Sequence, residues 1–541
     1  MPRIPTVLIL DNVPGTPALL LNGDGAYNRA VMTTSTDYYN ITDDFLGDSR
    51  LVEVGANTAI EFKDNRLSYI ELRSEVENWK HRIISNAVGE EDRVALLLYD
   101  SPEFVASFFA VVSIGAICVP INTFLPPEDV AYIIADSGAR LIIVEKDLES
   151  KLRDARAAGS HESPPRFVVD RSADEPLDSN SANPGTKHRA ATTRSSPALL
   201  LYTSGSTGQP KGVLHVHGSM RYTVDSYARS VLRLTSDDRV YSASRLFFAY
   251  GLGNSLSFPL SAGATVILDT ERPSPQYVAT LFRDRRPTVF FAVPALYRAL
   301  LDYDGTAGDL DVSSLRTCVS AGEALPARIV EEWKERFGLE ILDGIGSTEM
   351  LHIFISNRSG SVRAGSSGRI VKGYEAKLVD DSGVGTPVGE LGNLWVRGSS
   401  ATAGYWQRPD LTEQTVRDGW VRTGDIYRQD ADGFYYHVGR SDDCFKVRGL
   451  WVSPIEVESA LVSHDDVVEA AVVPSTNQQG LATARAYVVI RTASPREGLI
   501  EELRAHLSSR LPEYKVPSQI EFLKELPRTS TGKVQRFKLR A

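Results

Sequence analysis

The sequence contains few cysteines, and they lie far apart along the chain. Cys118, Cys318 and Cys444 are the three cysteines among 541 residues. An odd number at such wide spacing indicates neither a disulfide framework nor a zinc site, and it is typical of proteins from a reducing compartment. The cysteine content therefore favours a cytoplasmic protein without structural disulfides.

An excess of positive charge is also absent. The chain has 59 Lys and Arg against 69 Asp and Glu, so its formal net charge is −10 at pH 7. Proteins that bind nucleic acid or anionic membranes usually present a basic face. The charge balance therefore argues against both classes of partner, although a local group of donors can still bind a phosphate.

No apolar run is long enough to span a membrane. The short run in residues 1–10 is interrupted by Pro5 and is not followed by an Ala-x-Ala-like cleavage site. The longest run, residues 104–120, is broken by two serines and by Gly115, which is typical of a buried helix that leads into a strand. We expect a soluble protein without a membrane partner.

The length of 541 residues exceeds what one hydrophobic core supports, so two or more domains are expected. Residues 1–40 are rich in turn-forming residues and show no periodicity, which predicts an N-terminal extension. Within residues 41–440, buried strands alternate with helices such as the one that begins at Pro102 after the N-cap Ser101. This alternation predicts an α/β domain with largely parallel, covered sheets.

Two later regions have different patterns. Residues 365–436 contain short strands separated by Asp-Gly turns, which predicts a β-rich subdomain. Residues 441–541 combine predicted helices at 454–462 and 499–511 with predicted strands, which is typical of a small α+β domain.

The strongest local pattern is Tyr-Thr-Ser-Gly-Ser-Thr-Gly-Gln-Pro-Lys-Gly at residues 202–212, between two predicted strands. Glycines allow close backbone approach, while hydroxyls, backbone N–H groups and a lysine can donate to phosphate oxygens. The spacing does not fit a Walker A loop. The predicted phosphate contacts are Thr203, Ser204, Gly205, Ser206, Thr207, Gly208 and Lys211.

This segment resembles the signature of the acyl-adenylate-forming superfamily, which includes acyl- and aryl-CoA ligases, luciferases and peptide-synthetase adenylation domains. Further motifs of that superfamily follow in the same order as far as Lys533. The resemblance implies a large N-terminal domain of several subdomains and a small mobile C-terminal domain. It also implies ATP and Mg²⁺ as cofactors, with coenzyme A as co-substrate.

Residues 343–349 resemble the Tyr-Gly-x-Thr-Glu motif of this superfamily, with Ile345 where an aromatic residue is common. The resemblance assigns Thr348 to phosphate and Glu349 to Mg²⁺. It also assigns the segment Ala321, Gly322 and Glu323 to the adenine face, and Asp343 to the adenine amino group. Mg²⁺ prefers few carboxylates plus waters and substrate phosphates, which agrees with a single glutamate.

Three further motifs of the resemblance lie towards the C-terminus. Residues 421–425 resemble the ribose-binding motif, in which Asp425 would bind the hydroxyls and Arg440 would also contact the nucleotide. Asp442 corresponds to the hinge about which the small domain turns. Lys533 corresponds to the catalytic lysine that contacts the acid and the α-phosphate during adenylation, where its charge stabilises the transition state.

The segments at 245–253 and 349–354 resemble those of benzoate-CoA ligases. The resemblance implies that Phe248 is an aromatic gate and that the tips of Tyr250 and His352 contact a ring substituent. The whole predicted acid pocket comprises Phe248, Ala249, Tyr250, Phe291, Gly344, Ile345, Gly346 and His352. Aromatic side chains suit a flat ring, so the expected substrate is benzoate or a small aminobenzoate or hydroxybenzoate.

Alternatives remain open at this level. A stand-alone adenylation enzyme that loads an aryl group onto a carrier protein would carry the same motifs, and a non-enzymatic nucleotide sensor would share some of them. The preferred acid and a homodimeric state are also left open. His215 and His217 alternate along a predicted strand without a His-Glu-x-x-His pattern, so we interpret them as structural residues and not as metal ligands.

Overall fold

A computed structural model of the chain describes residues 37–152, 164–170, 190–203, 209–305, 309–448, 450–476, 480–492, 494–528 and 534–540. The described residues form two compact units. The first unit comprises the chain up to residue 364 with 368–375 and 396–421, and the second comprises 365–367, 376–395 and 422–541. Most of the predicted N-terminal extension lies outside the described residues, and the predicted domain boundary after residue 440 stays a prediction.

Nine strands of the described residues form the larger sheet of the first unit, whose central strands are parallel. Their side chains are buried on both faces, as expected for parallel strands that helices cover. In spatial order the strands are Arg369–Ile370, Ile353–Ser356, Ile341–Gly346, Thr317–Ser320, Val289–Ala292, Arg239–Ser242, Thr265–Leu268, Thr58–Phe62 and Asn65–Ser68.

Seven described strands form the smaller sheet of the same unit. The strand Lys211–Val216 runs antiparallel to its neighbours, while the strands from Pro197–Thr203 onwards are parallel. In spatial order they are Gly404–Tyr405, Lys211–Val216, Pro197–Thr203, Ile117–Pro120, Arg93–Leu97, Leu141–Glu145 and Arg166–Val169.

The helices of the first unit cover these sheets, and the helix predicted to start at Pro102 begins there. The predicted helix at Pro102 spans Pro102–Ser113, and the Ser101 hydroxyl accepts a hydrogen bond from the Phe104 N–H at 3.3 Å. The larger helices are Ile41–Leu46, Asp48–Val54, Tyr69–Ser85, Pro102–Ser113, Pro127–Ser137, His217–Thr223 with its π-helical continuation Val224–Leu232, Pro275–Arg285, Pro294–Leu301 and Ala327–Phe337. Shorter ones are Ala249–Leu252, the π-helical turn Gly253–Ser257, Phe258–Ala262 and Pro409–Thr415.

The second unit contains β-strands followed by a small α+β arrangement. Trp420–Gln429 pairs antiparallel with Tyr435–Arg440, and Phe445–Val447 pairs with Leu450–Val452. Further along, the strands Val467–Thr476, Ala482–Ile490 and Gln519–Phe522 form a sheet that packs with the helices Pro454–Val462 and Leu499–Ser508. The predicted α/β class, with a large parallel-sheet domain and a small C-terminal domain, is confirmed.

Two local predictions were wrong in detail. His217 is the first residue of the helix His217–Thr223, so only His215 lies in the strand. The helix predicted at 499–511 ends at Ser508, because Pro512 disfavours helical geometry in the residue before it. Within the described ranges, every helix is too short or too polar to cross a lipid bilayer.

An aromatic cluster forms the centre of the hydrophobic core beneath the larger sheet. The indole of Trp333 is fully buried and meets the ring of Tyr297 edge-on, with ring centroids 5.0 Å apart. Phe290 and Phe282 continue the cluster towards the strands. Because this cluster joins the helix Ala327–Phe337 to the sheet, it supports the strand ends that carry the predicted site.

We predict that Trp333→Ala lowers the free energy of unfolding by about 3–5 kcal/mol, since removal of a buried indole leaves a large cavity. Chemical unfolding followed by circular dichroism measures the change. Ile70→Ala is the control, because Ile70 is 54% exposed and surface changes shift stability by about 0.5 kcal/mol or less. Equal shifts in the two variants would contradict the assigned role of the core.

Candidate active site

The predicted motifs at 320–323 and 343–349 lie where parallel pairing in the larger sheet ends. Ser320 is the last residue of its strand, and it is paired in register with Asp343, where the parallel pairing of the two strands ends. The segments that follow them carry Ala321 to Glu323 and Gly344 to Glu349. Open α/β sheets commonly bind ligands at this edge, so the fold brings these two predicted motifs together.

Asp343 is a buried carboxyl group with an unused acceptor. The side chain is 5% exposed, and its Oδ1 atom has no hydrogen-bond partner among the described residues. Burial raises the pKa of this carboxyl well above its usual value. A ligand N–H at this position would supply the missing donor, which suits the exocyclic amino group of an adenine.

The neighbouring segment at 321–323 is mostly exposed to solvent. Ala321 is buried, whereas Gly322 and Glu323 are exposed. Gly322 has φ of +94°, and a Cβ atom built there would meet only Val293, at 3.7 Å. Backbone conformation and not crowding therefore favours glycine, since L-residues rarely adopt this φ.

Hydrogen bonds from three separate residues hold the Thr348–Glu349 turn. The His215 Nε2–H donates to the Thr348 carbonyl at 2.7 Å, and the Thr402 N–H donates to the Glu349 carbonyl at 2.7 Å. The Tyr405 hydroxyl donates to Oε1 of the Glu349 carboxylate at 2.7 Å. These donors come from the smaller sheet and the segment beside it, so the turn is positioned by both sheets of the unit.

The Glu349 carboxylate fits the predicted Mg²⁺. Tyr405 occupies Oε1, whereas Oε2 has no hydrogen-bond partner among the described residues. No group of three or more His, Cys, Asp or Glu within the described part of the chain could hold a metal ion. A Mg²⁺ ion that takes most of its ligands from water and substrate phosphates does not need such a group.

The predicted phosphate loop lies between the antiparallel strands Pro197–Thr203 and Lys211–Val216 of the smaller sheet. Thr203 and Lys211 face each other in the antiparallel register, one at each base of the loop. Ser204, Gly205, Ser206, Thr207 and Gly208 lie outside the described residues. Tyr405 pairs with Val213 in the same sheet, so one short strand contacts both the phosphate hairpin and Glu349.

Aromatic rings surround His352 in the predicted acid pocket. Tyr250 meets Phe291 edge-on with ring centroids 6.1 Å apart, and it lies 5.5 Å from the His352 ring. Phe258 approaches the same imidazole from another side, at 4.4 Å. Edge-to-face arrangements of this kind stabilise aromatic clusters, and the role of this cluster in binding an aromatic acid stays a prediction.

His352 is buried and neutral. Its Nε2–H donates to the Asn254 side-chain carbonyl at 3.1 Å, and burial lowers its pKa to about 3. Burial also keeps the pKa of the Tyr250 phenol well above its usual value. The polar tips of the predicted pocket therefore carry no charge near pH 7, which disfavours a ligand with a charged amino group.

Glycines allow the backbone to approach this histidine closely. A Cβ atom on Gly253 would lie 2.3 Å from His352 Cδ2, and one on Gly346 would lie 2.6 Å from the His352 carbonyl carbon. Gly344 and Ile345 belong to the strand that pairs with Ile353–Ser356. The site thus uses glycine where two chain segments meet at His352.

Phe248 and Ala249 lie at the start of the short helix Ala249–Leu252, with Phe248 in the N-cap position. Both are partly buried, as is Tyr250, the next residue in the helix. The ring of Phe248 lies 4.7 Å from that of Phe247, which is buried. Phe248 is therefore packed on one side, as a gating aromatic residue would be, and its role as the gate stays a prediction.

The second unit carries the predicted ribose contacts. Burial opposes ionisation of Asp425, but His437 at 3.4 Å and Arg440 at 3.3 Å outweigh this effect and lower the pKa of the carboxyl. The carboxylate is thus available to accept hydrogen bonds. The carbonyl of the predicted hinge residue Asp442 accepts a hydrogen bond from Arg540 at 3.1 Å.

Sequence reasoning missed several residues that contact the predicted ones. Tyr405, Asn254 and Thr402 were not singled out, and His215 was interpreted only as structural. Tyr405 lies 56 positions from its partner Glu349, so no local pattern connects the two. Lys533 lies outside the described residues, and its catalytic role stays a prediction.

Comparisons with known proteins agree with this arrangement. Residues 50–406 match the family model of AMP-binding enzymes, and residues 456–533 match that of the AMP-binding enzyme C-terminal domain. The chain is 41% identical to a benzoate-CoA ligase of Thauera aromatica over 508 residues, covering 93% of this chain and 96% of that protein.

Solved structures are similar over the same length. The anthranilate CoA ligase AuaEII in complex with anthranoyl-AMP has a TM-score of 0.85 and 40% identity, covering 93% of this chain and 96% of that chain. A benzoate CoA ligase from Burkholderia xenovorans LB400 has a TM-score of 0.83 and 39% identity, covering 93% and 100%.

The buried histidines predict a loss of stability in acid. Burial lowers the pKa of His215 and His217 to about 4 and that of His352 to about 3, whereas each titrates near pH 6.5 in the unfolded chain. Between these values the unfolded state binds protons that the folded state does not. The free energy of unfolding therefore falls as pH decreases below 6.5, by about 1.4 kcal/mol per pH unit for each histidine.

The measurement is chemical unfolding at several pH values between 5 and 7, on the wild-type chain and on His215→Gln. Glutamine can still donate to the Thr348 carbonyl but does not titrate, so we expect a shallower pH dependence in the variant. The same slope in both proteins would show that His215 is not held neutral by burial.

Proposed function

Because the chain belongs to the AMP-binding enzymes of the acyl-adenylate-forming superfamily, we propose that it is a ligase that activates an aromatic carboxylic acid with ATP and transfers the acyl group to coenzyme A. The observation that supports the proposal is the uncharged cluster of the Tyr250, Phe291 and His352 rings beside the strand that leads to Glu349. The relatives named above act on benzoate and anthranilate. Benzoate or a small aminobenzoate or hydroxybenzoate is the proposed substrate.

The chemistry proceeds in two steps. In the first, a carboxylate oxygen of the acid attacks the α-phosphorus of ATP, the bond to pyrophosphate breaks, and an aryl-adenylate forms. In the second, the thiol of coenzyme A attacks the acyl carbon, loses its proton, and AMP leaves with the bonding electrons. No step requires an oxidant or a protein nucleophile, so the residues act by positioning and by charge stabilisation.

The pocket residues orient the acid. The rings of Tyr250 and Phe291 meet edge-on, and the neutral His352 provides a polar wall without charge. An aromatic carboxylate bound by its ring would direct its negative end out of the pocket. That end would then lie towards the polar turn that carries Thr348 and Glu349.

The turn residues provide the polar part of the site. The Thr348 hydroxyl is the proposed phosphate contact, and Glu349 Oε2 is the proposed Mg²⁺ ligand. When bound there, Mg²⁺ would neutralise phosphate charge. Asp343 would accept a hydrogen bond from the adenine amino group through its unpartnered Oδ1. Asp425 and Arg440 of the second unit are the proposed ribose contacts.

The test is a pyrophosphate-release screen of the purified protein with Mg·ATP and substituted benzoates, short fatty acids and amino acids. We expect release with benzoates, and formation of AMP and the aryl-CoA thioester when coenzyme A is the only thiol offered. Aryl-adenylate without aryl-CoA would favour the carrier-protein alternative. Absence of release with every aromatic acid would exclude the proposed function.

Lys533→Ala tests the proposed catalytic lysine. We expect adenylation to slow by at least about 10²-fold, as happens when one group that stabilises the transition state is removed. Thioester formation from preformed aryl-adenylate should continue, because the proposed contacts of Lys533 belong to the first step. Lys538→Ala is the matched control in the same C-terminal segment. Equal losses in both half-reactions would contradict the assignment.

Tyr405→Phe tests the support of the Mg²⁺ ligand. The change removes only the hydroxyl that donates to Glu349 Oε1 at 2.7 Å. We expect weaker Mn²⁺ binding in the presence of a non-hydrolysable ATP analogue, measured by electron paramagnetic resonance, by about 10-fold or more because residues behind a metal ligand contribute at this scale. Tyr132→Phe, whose hydroxyl donates to Asp136, is the control, and equal Mn²⁺ affinity in both variants would contradict the role.

A further inference from the structure

A buried acidic residue of the smaller sheet contacts the segment that carries the predicted gate. Asp100 lies between the strand Arg93–Leu97 and the helix Pro102–Ser113 and is 3% exposed. Its Oδ1 atom accepts a hydrogen bond from the backbone N–H of Leu246 at 3.0 Å. Leu246 is itself fully buried, two residues before Phe248.

Arg245 anchors the same segment to the larger sheet. Its guanidinium lies 3.9 Å from Asp100 Oδ2 and donates to the backbone carbonyls of Asp269, Thr270 and Glu271. Those carbonyls follow the carboxyl end of the strand Thr265–Leu268. Asp100 and Arg245 together therefore link the ends of both sheets of the first unit.

The backbone after Arg245 turns sharply and is tightly packed. The Phe248 N–H donates to the Arg245 carbonyl at 3.0 Å. A Cβ atom built on Gly251 would lie 1.9 Å from the same carbonyl oxygen, so the helix returns directly over Arg245. A shift of Arg245 or Leu246 would therefore displace the start of the helix Ala249–Leu252.

We infer that Asp100 and Arg245 are positioning residues that set the shape of the aromatic-acid pocket by fixing the segment Leu246–Leu252. The inference rests on the proposed function, and it adds residues that themselves do not contact the acid. Asp100 acts through the Leu246 N–H, and Arg245 acts through the loop at 269–271. Neither side chain makes a proposed contact with ATP. Its loss should therefore impair use of the acid and leave the KM for ATP unchanged.

The charges around Asp100 support this arrangement. Burial raises its pKa to about 6, Arg245 and the Leu246 N–H oppose that rise, and Asp269 adds to it. Tyr241 also lies within electrostatic range of the carboxyl. The ionised Asp100 carboxylate needs Arg245 nearby, because a buried charge without an oppositely charged partner is energetically unfavourable.

The experiment compares Asp100→Ala, Asp100→Asn and the wild-type protein. We expect kcat/KM for the aromatic acid to fall by about 10²-fold in Asp100→Ala, since small displacements of positioning groups have effects of this size, while the KM for ATP stays unchanged. Asp100→Asn keeps an acceptor for the Leu246 N–H, so we expect a smaller loss. Amide hydrogen exchange of residues 244–252 should become faster in Asp100→Ala.

The matched control is Asp238→Asn. Asp238 is also 3% exposed and paired with an arginine, Arg316 at 2.6 Å, but it lies at the opposite end of the strand that leads to Arg245. We expect this variant to lose stability without a selective change in KM for the acid and without faster exchange in residues 244–252.

Two results would overturn the inference. One is an equal effect of Asp100→Ala on the KM values for acid and ATP, and the other is unchanged exchange of residues 244–252. If Asp100→Ala does not fold, Arg245→Gln provides the same comparisons, because it removes the guanidinium that joins the same segment to the loop at 269–271. If the wild-type protein activates no aromatic acid, the proposed function fails, and the exchange measurement still decides whether Asp100 holds the segment.

Discussion

The arrangement of the first unit depends on the hydrogen bonds that fix the turn Thr348–Glu349. His215, Thr402 and Tyr405 reach this turn from outside its own sheet. A lone turn at a strand end would be free to move, and its carboxylate would sample many positions. Donors on a second sheet convert it into a rigid polar edge, which is the condition for charge stabilisation without reorganisation.

The predicted acid pocket is uncharged, in contrast to the polar turn Thr348–Glu349. Burial raises the pKa of the Tyr250 phenol and lowers that of His352, so the polar tips of the predicted pocket are uncharged near pH 7. The polar turn lies further along the chain segment that begins at Asp343. Along residues 343–352, the predicted phosphate and Mg²⁺ residues Thr348 and Glu349 therefore lie between predicted pocket residues on either side. The absence of charge at these tips agrees with the proposal of an aromatic carboxylate, and not a charged amino acid, as the substrate.

Much of the fold could be predicted because its signals are local. Ser101 specifies the start of a helix by capping it, and Pro102 does so because its ring fixes a helical φ. The Thr348–Glu349 turn and the glycines around it were also singled out, since their chemistry is contained in a short segment. Tyr405 and Asp100 were missed, because their partners, Glu349 and Leu246, are distant in sequence and ordinary residues surround them.

The sequence by itself determined the order of strands and helices, the superfamily motifs and the apolar character of the pocket residues, because these follow from residue type and spacing. Only the tertiary structure decided which donors hold Glu349, why His352 is neutral and how Asp100 reaches the backbone of Leu246. The physical reason is that burial and hydrogen-bond geometry arise when segments far apart in the chain pack together. Asp100 acquires its proposed role by accepting a hydrogen bond from the Leu246 N–H. That contact forms only when the two sheets pack together.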